Sequence, residues 1–106
     1  MDNLEKIKTF LKSLKQENIR FKKHFYDKIK ERPITEELVR AYLNKTERLL
    51  MVEELSSKVI NEQKYKIWIK LSNRYSLIVV AVISGKDLYI ITAWNTDRKW
   101  QKEIRR

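Results

Sequence analysis

Lys64-Tyr-Lys-Ile-Trp-Ile-Lys-Leu-Ser72-Asn-Arg74-Tyr-Ser-Leu-Ile-Val-Val-Ala-Val-Ile-Ser84-Gly-Lys-Asp-Leu-Tyr-Ile-Ile-Thr92-Ala-Trp-Asn95 is the stretch on which the fold turns. Its first part alternates, with Tyr65, Ile67, Ile69 and Leu71 on one side and Lys64, Lys66, Trp68 and Lys70 on the other, the period-two signature of a strand. Tyr75 to Ser84 is an unbroken apolar run, as expected of a strand buried on both faces in mid-sheet. Asn73-Arg74 and Gly85-Lys86 are two-residue turn candidates that bracket it. The last strand, Asp87 to Asn95, is expected to place Leu88, Ile90, Thr92 and Trp94 on one face and Tyr89, Ile91 and Ala93 on the other. With a strand from Arg48 to Leu55 before it, the region reads as a four-stranded antiparallel sheet.

Upstream the period changes. Leu4, Ile7, Leu11 and Leu14 recur at three and four residues, which predicts an amphipathic helix over residues 3 to 16. A second helix is expected from Phe21 to Glu31, because Pro33 disfavours helical geometry at Arg32. Thr35 is a candidate N-cap for a third, short helix that buries Leu38, Val39, Tyr42 and Leu43 and ends near Asn44. Helices before a sheet make an α+β class. The 106 residues suffice for one domain over residues 1–106, with a basic tail after Asn95 that carries capping residues for a short C-terminal helix.

The formal charge of +10 is uneven. Residues 1–32 hold ten Lys/Arg against five Asp/Glu, residues 33–63 four against six, and residues 64–106 ten against three. A basic excess of this size makes nucleic acid the first partner to test, RNA before DNA. The acidic middle suits a basic partner such as an antitoxin, a second copy of the chain, or plain solvent exposure. With no cysteine and one histidine, a metal site is disfavoured, and one glycine leaves no phosphate-binding loop, so no cofactor is expected. The N-terminus lacks a signal-peptide pattern, and the longest apolar run falls far short of the ~20 residues that span a membrane. A cytoplasmic protein without membrane partners is the expectation.

The only histidine, His24, precedes Lys28 by four residues and Arg32 by eight. On a helix these three would stack along one face, beside an apolar stripe of Phe21, Phe25 and Ile29. An imidazole flanked by fixed cations is what metal-free cleavage of a phosphodiester needs, since a proton must move while anionic charge grows on phosphorus. A plain basic helix with a solvated histidine has the same pattern.

His24-x-x-x-Lys28-x-x-x-Arg32-Pro-Ile34, followed by Glu36-Glu37-Leu-Val, together with the closing Leu88-Tyr-Ile-Ile-Thr92-Ala-Trp-Asn95, resembles a small domain family of unassigned function. Its members show His-x-x-x-Arg-x-x-x-Arg-Gly-Ile, an acidic short helix and a last strand ending in a threonine. That family is grouped with the barnase, EndoU, colicin and RelE superfamily of metal-independent RNases, many of them toxins. The resemblance covers residues 19 to 96. It implies an endoribonuclease of toxin type that cleaves RNA by attack of the 2′-hydroxyl, with His24 as general base or acid, Lys28 and Arg32 stabilising the phosphorane, and Thr92 binding a non-bridging oxygen or orienting the imidazole. Two departures matter: Lys28 stands where arginine is usual, losing the bidentate fork, and Pro33 stands where glycine is usual.

Two further groups suit nucleic-acid binding. Lys64, Lys66, Trp68 and Lys70, with Arg74 at the following turn, set an aromatic within a basic row, the grammar of base stacking with flanking phosphate contacts. An edge strand guarded by lysines reads the same way. The tail repeats the pairing with Trp94, Arg98, Lys99 and Trp100, either a phosphate-binding arm or a docked terminal helix. The alternative function is thus a non-catalytic RNA- or DNA-binding regulatory module of a mobile element or virus.

Overall fold

The structure, a computed structural model, describes residues 3–30, 32–57 and 62–97. Helix α1 (Asn3–Ser13) leads through a 3-10 turn into a three-residue strand β1 (Ile19–Phe21), followed by α2 (Lys23–Ile29) and α3 (Glu36–Leu43). Four longer strands complete the chain: β2 (Leu49–Leu55), β3 (Gln63–Lys70), β4 (Tyr75–Ser84) and β5 (Asp87–Asp97). The sheet order is β1-β5-β4-β3-β2. The α+β class holds, but the sheet has five strands and is mixed. The expected helix through Phe21 begins later because Ile19, Arg20 and Phe21 pair in parallel with Leu88, Tyr89 and Ile90. Three residues are too few to carry a periodic signal, so this strand was not readable in advance.

The three helices lie on one face. Ile7 and Leu11 from α1, Phe25 from α2, and Val39 and Leu43 from α3 form a single cluster with Ile67, Ile69, Leu77, Val79, Leu88, Ile90 and Ala93 of the sheet. Burying a side chain of this size is worth about 1.5–3 kcal/mol, so this layer is the main source of stability. Thr35 caps α3 as its type predicts: its Oγ1 accepts from the Leu38 N–H at 3.1 Å.

Three expectations are corrected. First, α2 ends at Ile29, so Arg32 leaves the helical row shared by His24 and Lys28. Second, β3 is an interior strand between β2 and β4, so its lysines do not guard an edge. Third, the Asn73-Arg74 turn is a longer loop from Leu71 to Arg74, whose Ser72 Oγ accepts from the backbone N–H groups of Arg74 and Tyr75. At the other hairpin Gly85 takes φ +61°, the left-handed conformation that Gly85-Lys86 was expected to need.

A bulge in β5 changes which residues share a face. Val80 pairs with Thr92 but Ala81 pairs with Ile90, so Ile91 is an extra residue in the ladder. Before the bulge Leu88 and Ile90 point to the helices; after it Ala93 does. Thr92 and Trp94 therefore join Tyr89 on the face that carries no helix among the described residues, the helix-free face, against the expected alternation.

Candidate functional site

The site is built on that helix-free face. Pairings place Lys64, Lys66, Trp68 and Lys70 of β3 beside Val82, Val80, Ile78 and Ser76 of β4. Across β4 these meet Tyr89, Thr92, Trp94 and Thr96 of β5. Trp68, Ile78, Val80 and Val82 are nearly fully buried yet lie outside the helix-side cluster. The β3 lysines are half-buried, with their stems along this apolar floor.

Arg32 reaches the face from the loop between α2 and α3. Two apolar anchors flank it, since Ile29 packs against the core and Ile34 is buried within it. Strand β1 is too short to cover the outer edge of β5 beyond Ile90, and Arg32 meets that edge: its Nη1 donates to the Ala93 carbonyl and to Thr92 Oγ1, both at 3.0 Å. Among the described residues Nε and Nη2 of the same guanidinium have no partner. The Thr92 hydroxyl accepts from Arg32, and its own hydrogen has no acceptor among the described residues. One nitrogen thus fixes the plane of the guanidinium, and an adjacent pair of donors and one hydroxyl are left to an incoming anion.

Trp94 joins the two expected groups. Arg32 Cζ lies 5.9 Å from its ring centroid and Lys66 Nζ lies 5.5 Å from it, while the same Lys66 Nζ is 4.8 Å from the Trp68 ring. These are cation–π distances. Arg32, Thr92, Trp94, Lys66 and Trp68 are one patch, although Arg32 and Thr92 are 60 residues apart in sequence. Trp68 is 4% exposed, so its ring supports Lys66 and offers little surface for stacking.

His24 and Lys28 sit on the exposed side of α2, which packs on β5 through buried Phe25. Among the described residues His24 has no hydrogen-bond or ion-pair partner. Arg74 lies at the opposite end of the sheet, exposed, with Cζ 5.4 Å from the Tyr75 ring. Arg98, Lys99 and Trp100 lie outside the described residues.

Sequence reasoning missed Lys22. It follows β1 directly, its N–H donates to the Ile90 carbonyl at 2.9 Å, and its Nζ lies 5.1 Å from the Tyr89 ring. Only the pairing of β1 with β5 puts it there, and that pairing had no local signal. Among the described residues no cluster of three or more His, Cys, Asp or Glu side chains is gathered, and no helix is long and apolar enough to cross a membrane. No protein-family model, curated protein or solved structure matches the chain.

Proposed function

We propose that the protein is an RNA-cleaving domain that transfers the phosphoryl group to the neighbouring 2′-hydroxyl without a metal, leaving a 2′,3′-cyclic phosphate. The observation that carries this reading is the 3.0 Å hydrogen bond from Arg32 to Thr92, which leaves Arg32 Nε and Nη2 and the Thr92 hydroxyl hydrogen without a described partner and so available to an anion. A pentacoordinate phosphorane bears more negative charge on its non-bridging oxygens than the diester does. Donors fixed before the reaction stabilise that added charge without reorganising, a term worth about 10²–10³ in rate per donor. In this reading His24, on the exposed side of α2, supplies the proton transfer, and Lys28 one turn along adds charge on the same side of that helix.

A second reading, binding without cleavage, is favoured by Lys66 between Trp68 and Trp94 and by the lack of a described partner that would orient His24. The two separate cleanly. Purified protein is incubated with total RNA and with ribosomes carrying messenger RNA, in excess EDTA, beside His24→Ala and Arg32→Gln. Cleavage ending in cyclic phosphate, lost in both variants, is the expected result. Intact RNA in every arm, with salt-sensitive retention that His24→Ala keeps, would leave the binding module.

A further inference from the structure

The helix-free face holds a second feature beside the Arg32–Thr92 pair. At its Gly85 end, a cavity of about 480 Å³ is lined by Lys22, Lys64, Ser84, Tyr89, Ile91 and Glu62, among others. Its size lies within the ~300–1,000 Å³ of ligand clefts. Two ammonium groups and a serine hydroxyl are donors suited to a phosphate. Tyr89 and Ile91 add a planar and an apolar wall, and Lys22 Nζ, 5.1 Å from the Tyr89 ring, sets a cation directly beside that wall. Among the described residues Glu62 is the one carboxylate that lines the cavity; two lysines against it leave the wall cationic, and it offers an acceptor to an amino or hydroxyl group of a nucleoside.

Register places this cavity next to the proposed cleavage site. Tyr89 stands opposite Val82 and Thr92 opposite Val80, two residues along β4, or about 7 Å. The extra residue of the bulge is Ile91, which lines the cavity while the next residue, Thr92, accepts from Arg32. A polymer threaded across this face would meet the two positions with successive units.

We propose that the cavity is a nucleotide subsite that holds one unpaired nucleoside phosphate of single-stranded RNA, adjacent to the bond presented to Arg32 and Thr92. The phosphate lies toward Lys22 and Lys64 and the nucleoside along Tyr89 and Ile91. The inference rests on the RNA-cleaving reading for the identity of the polymer. A duplex is excluded from it because a base must leave its stack to lie in a recess.

The test uses the full chain and a labelled 2′-O-methyl hexanucleotide of mixed sequence, which lacks the attacking hydroxyl, with binding followed by fluorescence anisotropy. Lys22→Gln/Lys64→Gln is expected to weaken binding at least tenfold and to reduce the slope of log affinity against log salt by about 1.4, since a single-strand contact contributes about 0.7. Tyr89→Leu is expected to weaken it at least fivefold. Adenosine and uridine monophosphates should compete at least ten times better than inorganic phosphate. Equal competition by phosphate would reduce the cavity to a bare anion site and overturn the proposal, as would equal affinity for a duplex. If wild-type protein cleaves RNA while both variants keep affinity and KM within twofold, the subsite falls and the cleavage reading stands. If no RNA is cleaved while the lysine variant still loses binding, the cleavage reading falls and the subsite stands.

Discussion

Arg32 donates to the fold through Nη1 alone, so substitutions at this residue separate structure from chemistry. Arg32→Lys keeps a cation but cannot hold Ala93 and Thr92 and still present two donors in one plane. It is expected to lower stability by about 1–2 kcal/mol, the value of charge-assisted bonds of this kind, and RNA cleavage by about 10² or more. Chemical denaturation and initial rates measure the two effects, and a variant with unchanged stability would remove the anchoring role. Ser76 makes the opposite case. Its hydroxyl is fully buried on the helix-free face with no hydrogen-bond partner among the described residues, a state that costs free energy. Ser76→Ala is expected to raise stability by about 1 kcal/mol in the same titration. A loss of stability would mean that the hydroxyl has a partner after all.

Among the elements, the β5 bulge has the largest consequence. Deleting Ile91 restores strict alternation, which turns Thr92 and Trp94 toward the helices and Ala93 away from them. The core would then have to accept a threonine and a tryptophan in place of Ala93, which is fully buried. Such a chain is expected to lose its cooperative melt by circular dichroism. A smaller effect is expected at the β4–β5 hairpin, where a Cβ on Gly85 would meet no atom within 4 Å and the cost comes only from φ +61°. Gly85→Ala should destabilise by about 1 kcal/mol. These elements also mark what could be read in advance. The lysine alternation of β3, the apolar run of β4, the Gly85 turn and the Thr35 cap each carry a local pattern, and all four are in the structure. The bulge has no such pattern, because Ile90-Ile91 reads equally well in either register. Strand β1 has none because its stability derives from a partner 69 residues away. The resemblance named Arg32 and Thr92 as separate parts of one site; their hydrogen bond, and their meeting at Trp94 with Lys66, depend on the bulge and were not visible.

Across the whole molecule, cations outnumber anions by ten, and the described salt bridges, Arg20–Asp87, Lys30–Asp27 and Arg40–Glu36, engage none of the site residues. The surface field is therefore available to a polyanion. If Lys22, Lys64, Lys66 and Arg32 each neutralise a phosphate, log affinity for single-stranded RNA should fall with log salt at a slope of about −3. A slope near zero would exclude backbone contacts as the source of binding.

The pairing of β1 with β5 also orders events in time. Asn18 Nδ2 donates to Asp87 Oδ1 at 2.8 Å across a separation of 69 residues, and Arg32 waits 60 residues for Thr92. At a synthesis rate of about 5–20 residues per second, the ribosome needs roughly 3 to 14 seconds to make that intervening chain. Throughout this interval the nascent polypeptide carries Arg32 without the strand that supplies its partners, Thr92 and Ala93. A chain stopped at Lys86 is expected to neither melt cooperatively nor cleave RNA. If the chain cleaves RNA as proposed, translation would withhold that activity until β5 has emerged, leaving its own messenger intact while it is being read.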